Sequence, residues 1–109
     1  MNKFRYALHG ILLGFKDSSI RLQWMLAIIA FTVFSWLGIS AMEWILVVLC
    51  SGLVIAMEYI NTAIETIMDF QHNKYHPQIK VIKDLGAAGV LVAAFCAMVV
   101  GILILSNYL

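Results

Sequence analysis

Three long stretches of the chain carry no Asp, Glu, Lys or Arg: residues 22–42, 44–57 and 85–109. A helix crosses about 30 Å of hydrocarbon with about 20 apolar residues, so the first and last stretches suffice as they stand. The middle one reaches that length only by running from Glu43 to Met68, with Glu58, Asn61 and Glu65 inside it. The pattern therefore predicts three spans, at about 20–39, 43–68 and 84–106. In lipid, backbone polar groups must be bonded within a helix or a closed barrel, and three segments cannot close a barrel. The expected fold class is an all-α membrane protein.

Ahead of the spans, Phe4, Leu8, Ile11, Leu12 and Phe15 recur at helical spacing. This predicts an amphipathic helix over about 3–16, lying in the membrane interface. The alternative, a longer first span, would put Lys16, Asp17 and Arg21 into lipid. Ser18 or Ser19 is expected to cap the helix that follows. The first apolar run is too long for a leader's core and lacks a clear small-x-small site, so the spans themselves are expected to anchor the chain. Residues 1–109 read as one domain.

Composition narrows the class. The chain is 63% hydrophobic and 12% charged, with a mean hydropathy of +0.96, whereas a soluble domain is about 25% charged. So few charges cannot cover a water-soluble globule. A net charge of +1 gives no electrostatic case for nucleic acid. All the basic residues lie before the first span (Lys3, Arg5, Lys16, Arg21) or between the second and third (Lys74, Lys80, Lys83). The positive-inside rule then places the N-terminus and the 70–83 loop in the cytoplasm and the C-terminus outside. Trp24, Trp36 and Trp44 fall near span ends, as interfacial aromatics do. Cys50 and Cys96 lie inside spans without metal-ligand spacing and read as small apolar residues.

The second span holds the candidate chemistry. In EYINTAIETIMD, Glu58, Glu65 and Asp69 project within about 20° of one line, with Asn61 about 60° to one side. Counted from Glu43, Glu58 lies about 22 Å across and Glu65 about 33 Å, so the stripe runs from within one leaflet to the interface. Ionisable groups in spans normally mark function. Aligned acids also call for a cation, either a divalent metal on hard carboxylate oxygens or the neighbouring lysines. Helix association through Asn and Glu hydrogen bonds is the competing structural role.

After Asp69 the chain runs FQHNKYHPQIKVIKD, with Lys80 and Lys83 spaced to share a helical face. Lysines beside a metal-ready acidic stripe are parts that phosphoryl transfer uses; the plainer role is orientation and headgroup contact. His72 and His76 are four apart, ahead of a break expected at Pro77, and make a poor zinc site. Gly52 and Ala56, and separately Gly86, Ala93, Ala97 and Gly101, form small-residue stripes suited to close helix approach and oligomerisation. There is no Walker-type phosphate loop and no protein-kinase signature.

EYINTAIETIMD, then KYHP, then IKDLGAAGVLVAA resembles the small prokaryotic diacylglycerol kinase and undecaprenol kinase family, over most of the chain. The resemblance implies an integral-membrane homotrimer with sites shared between subunits, moving the γ-phosphate of ATP, with Mg2+, to a membrane lipid alcohol in the bacterial cytoplasmic membrane. It implies Glu58 as general base, Asn61 beside the transferring phosphate and Glu65 as metal ligand, with Asp69 supporting the stripe. Lys83 and Asp84, Tyr75 and His76, and Tyr6 match nucleotide contacts, and Lys74 replaces the acidic residue usual before Tyr-His. The family's second metal-binding Glu aligns on Ser18, which leaves Asp17 beside it as the candidate carboxylate. The NTAIET and YHP wording resembles the undecaprenol branch slightly more than the diacylglycerol branch. A catalytically impaired member acting in lipid binding or assembly is the alternative, and an ion conduit built on Glu58 ranks behind both.

Overall fold

The computed structural model describes residues 2–71 and 75–109. Four helices follow in order: α1 (Lys3–Gly14), α2 (Ser18–Leu37), α3 (Ala41–Gln71) and α4 (Pro77–Ser106). Among the described residues there are no strands. The last three helices are long and apolar enough to cross a membrane; the protein is an all-α, multi-pass membrane protein. At 1.5 Å per residue α3 and α4 are about 45 Å long, so each outruns the hydrocarbon by several turns. The excess lies at the end carrying Glu65, Asp69, Lys80 and Asp84, here called the polar end.

The helix boundaries follow from local chemistry, and two differ from the sequence expectation. Asp17, rather than Ser18 or Ser19, caps α2: its Oδ1 accepts from the backbone N–H of Ser19 at 2.8 Å and of Ile20 at 3.2 Å. A carboxylate at an N-cap also meets the positive end of the helix dipole. α4 opens at Pro77, ahead of the span expected from residue 84. Proline at the first helical position forfeits only an N–H that has no helical partner, and His76 caps it through Nδ1, which accepts from Gln78 N–H at 3.1 Å. Hydropathy located the lipid crossing; the helix itself is longer.

At the opposite end, Gly38 closes α2 with φ 70°, a left-handed conformation that suits glycine. Ser40 and Glu43 then form a reciprocal capping box: Ser40 N–H donates to Glu43 Oε1 at 2.9 Å, and Glu43 N–H to Ser40 Oγ at 3.2 Å. Asn107 donates to Glu43 Oε2 at 3.2 Å, and the Tyr108 hydroxyl donates to Oε1. That bond to Glu43 raises the Tyr108 phenol above its ordinary value. Its contribution is complete below the ordinary phenol pKa of about 10 and is lost only as pH climbs through the raised value. Phe34, Ile39, Val47 and Ile104 form a buried cluster beneath this turn, flanked by Trp44 and Leu105.

The chain exposes 8014 Å2, against about 6,000 Å2 for a compact soluble chain of this mass. The surplus is apolar helix face, the surface a bilayer covers. α1 is fastened to the spans by Tyr59. Its hydroxyl donates to Ile11 C=O at 2.8 Å and accepts from Trp24 Nε1 at 3.2 Å. Gly14 makes room for the ring, since a Cβ there would lie 2.2 Å from Tyr59 Cε1. Tyr59→Phe is expected to cost about 1–2 kcal/mol and to speed amide exchange in α1 more than in α4, measured by hydrogen–deuterium exchange; uniform protection would contradict the clamp.

Candidate active site

The stripe on α3 survives folding as a line of groups graded from buried to exposed. Glu58 and Asn61 are 6% and 8% exposed, the only buried polar residues among those described. Glu65 is half-buried and Asp69 exposed. Valines at 47 and 54 lie on the same side of α3, which is why this face turns inward and carries Glu58 and Asn61 with it. Gln23 of α2 faces the Glu58 carboxyl, and Asp17 and Glu65 are its nearest charged neighbours. Three carboxyls thus approach one region from the α1–α2 turn and from α3.

Asn61 Nδ2 donates to Glu65 Oε1 at 3.3 Å, an i, i+4 contact that orients the carboxylate from behind. Thr62 Oγ1 donates to Asp17 Oδ2 at 3.4 Å, joining the α2 cap to the stripe. Between α1 and α3 lies a cavity of about 730 Å3 walled in part by Lys16, Asp17, Tyr59, Thr62 and Thr66.

At the polar end, α4 supplies the cations. Lys83 Nζ meets Asp69 Oδ1 at 2.6 Å across the helix pair, and Lys80 Nζ meets Asp84 Oδ2 at 2.6 Å along α4. The residues 83 and 84 are therefore split between two ion pairs, each partly or largely exposed. Exposed pairs of this kind are weak in water, so their partners can be exchanged for another anion at little cost.

Other expected site residues stand apart. Tyr75 and Tyr6 are 77% and 59% exposed, and among the described residues no hydrogen bond joins either to the stripe. His76 serves as the α4 cap. Lys74 and His72 lie outside the described residues. Gln23, Thr62 and Tyr59 were not singled out from the sequence. Tyr59 had one visible signal, a phenol at the border of apolar and polar segments, but its partner Gly14 sits on another helix.

Among the described residues, no three His, Cys, Asp or Glu side chains stand close enough to hold a metal by themselves. Mg2+ asks for less: one or two carboxylates, with waters and substrate phosphates completing its octahedron. Glu65, held by Asn61 through one oxygen, fits that requirement. Asp17 fits it only through Oδ2, because Oδ1 is taken up by the helix cap.

Residues 5–105 match the prokaryotic diacylglycerol kinase family, and the chain belongs to it. It is 34% identical over 100 residues to a diacylglycerol kinase of Synechocystis, covering 90% of this chain and 57% of that protein. It is 38% identical over 66 residues to an undecaprenol kinase of Bacillus subtilis, covering 61% of this chain and 54% of the relative. An Escherichia coli diacylglycerol kinase is 28% identical over 93 residues, with 85% and 76% covered. The alignments thus span little more than half the length of the first two relatives.

Proposed function

We propose that this protein is a lipid kinase of the bacterial cytoplasmic membrane, transferring the γ-phosphate of ATP, with Mg2+, to a membrane lipid hydroxyl at the cytoplasmic leaflet. One observation carries the reading: a carboxyl only 6% exposed, Glu58, set within an apolar span of a chain from this family. Placing a carboxyl there is costly unless it has work to do.

In this reading the lipid hydroxyl enters sideways from the bilayer and gives its proton to Glu58 as its oxygen attacks the γ-phosphorus. The bond from that phosphorus to the β-bridging oxygen breaks, and ADP leaves. Gln23 and Asn61 position the carboxyls beside the reacting oxygen. Lys83 exchanges Asp69 for a phosphate, with Asp84, Tyr75, His76, Lys74 and Tyr6 as further nucleotide contacts, some supplied by a second subunit of a homotrimer. Bound Mg2+, held by Glu65 and Asp17, would neutralise phosphate charge. Basic residues clustered at the polar end support its cytoplasmic placement.

Undecaprenol is preferred over diacylglycerol on the NTAIET and YHP wording. A second reading, an impaired member that binds lipid or aids assembly, is favoured by one observation: Asp17 spends an oxygen on the α2 cap. Radiolabelled ATP supplied to the purified protein with a panel of lipid alcohols separates the two. Transfer to undecaprenol above diacylglycerol is expected. Transfer to neither, with lipid still bound, would favour the second reading.

A further inference from the structure

Beside the acid stripe, α3 turns a second face toward α1 and the turn that leads into α2. The chain has three threonines, all within helices. Thr32 and Thr66 do what helical threonines commonly do: each hydroxyl donates to the carbonyl four residues back, at 2.8 Å. Thr62 instead turns its hydroxyl outward, and Oγ1 donates across 45 residues of sequence to Asp17 Oδ2 at 3.4 Å. A bond of this length adds little stability; what it fixes is the direction of a carboxylate oxygen.

That oxygen is the one Asp17 has to spare. Oδ1 accepts from the Ser19 and Ile20 N–H groups in the α2 cap, which leaves Oδ2 for α3. The turn that carries Asp17 is itself closed: Asp17 N–H donates to Gly14 C=O at 2.9 Å, and Arg21 Nη1 donates to Phe15 C=O at 2.6 Å. Tyr59, three residues before Thr62 on the same side of α3, fastens the turn from both flanks, through Ile11 C=O in α1 and Trp24 Nε1 in α2. Glu65 follows Thr62 by three residues, about 4.5 Å along the axis. The Tyr59–Thr62 edge of α3 thus draws a carboxylate oxygen of the α1–α2 turn toward the part of α3 that carries Glu65.

We propose that Thr62 is a positioning residue for metal binding, its hydroxyl holding Asp17 Oδ2 ready for the divalent ion that Glu65 also binds, while Tyr59 keeps the turn within reach. A carboxylate oxygen has two lone pairs, so Oδ2 can accept from Thr62 and still ligate a cation. Groups that hydrogen-bond a ligating side chain orient it and tune its affinity for the ion. The proposal deepens the kinase reading and rests on it for the purpose of the metal.

Metal binding is measured without ATP or lipid substrate. Mn2+, which takes the same octahedral oxygen ligands as Mg2+, is titrated into the purified protein in phosphatidylcholine nanodiscs, and free Mn2+ is counted by electron paramagnetic resonance. Thr62→Val, which keeps the shape and loses the hydroxyl, is expected to weaken binding about tenfold or more, the loss typical of a partner behind a metal ligand, with its melting midpoint unmoved. Thr62→Ser retains the unaltered affinity. Asp17→Asn, whose amide oxygen can still cap α2, weakens binding as well, and adding Thr62→Val to it brings no further loss. Thr66→Val, which removes another hydroxyl from the wall of the same cavity, changes nothing. A Thr62→Val protein that binds Mn2+ like the unaltered one overturns the proposal, as does a serine variant that fails to restore binding, an equal loss in the Asp17→Asn background, or an unaltered protein that binds no Mn2+. Phosphate transfer on the same preparations is a separate readout. Transfer with Mn2+ binding indifferent to Thr62 keeps the kinase reading and sinks the positioning role; Thr62-dependent binding without transfer keeps the positioning role and sinks the kinase reading.

Discussion

Glu58→Gln is expected to lower phosphate transfer to lipid by about 10²–10⁴-fold, the contribution typical of a positioned general base, with little change in thermal stability. The substitution keeps shape and volume and removes only the ability to take a proton. Gln23 can bond an amide as it can a carboxyl, and among the described residues Glu58 is engaged in no ion pair whose loss would strand a buried charge. The helix ought therefore to persist, because an amide of the same shape replaces a group whose charged form is disfavoured in an apolar span. Turnover and the melting midpoint, measured on the same preparation, decide the matter. Retained turnover rejects Glu58 as the base; turnover lost together with the fold would assign it a structural role instead.

The second large effect is expected at a glycine. In Gly86→Ala the new methyl carbon would stand 2.3 Å from Asn61 Oδ1, 3.4 Å from its Cγ and 3.7 Å from Ile64 Cδ1. Asn61 can retreat only by leaving Glu65, and α4 only by moving off α3. Overpacking of this kind costs about 1–3 kcal/mol, and misplacing a positioned group by about 1 Å can cost up to about 10²-fold in rate. Gly101→Ala is the matched comparison, because nothing lies within 4 Å of the added carbon. There the better helix propensity of alanine should stabilise by up to about 1 kcal/mol. If the two variants melt alike and turn over alike, the close approach at Gly86 does not set the site.

The three apolar helices and the shorter helix before them were legible because lipid imposes a length on apolar runs and expels charge from them. The stripe from Glu58 to Asp69 was legible because residues on one helix keep a fixed angular period. What could not be read were pairings between helices. Lys83 with Asp69, Gln23 with Glu58 and Tyr59 with Gly14 depend on how α2, α3 and α4 are rotated against one another, and no period in the sequence encodes that rotation. The caps fell between these cases. Asp17 and Ser19 are both good cap residues, and the choice of Asp17 follows from the turn geometry after Gly14. Pro77 looked like a break in the chain and proved to be the first residue of α4, as proline at that position can be.

The Glu43 cluster gives the bundle unequal ends. There a single carboxylate gathers the α2–α3 turn, the start of α3 and the chain beyond α4 over a buried apolar cluster. At the other end, where the chain passes from α3 to α4, the side-chain ion pair between the two helices among the described residues is Lys83 with Asp69, partly exposed and screened by mobile ions. Added salt is therefore expected to weaken the side-chain contact at the polar end far more than the Glu43 turn, which rests on hydrogen bonds over an apolar cluster.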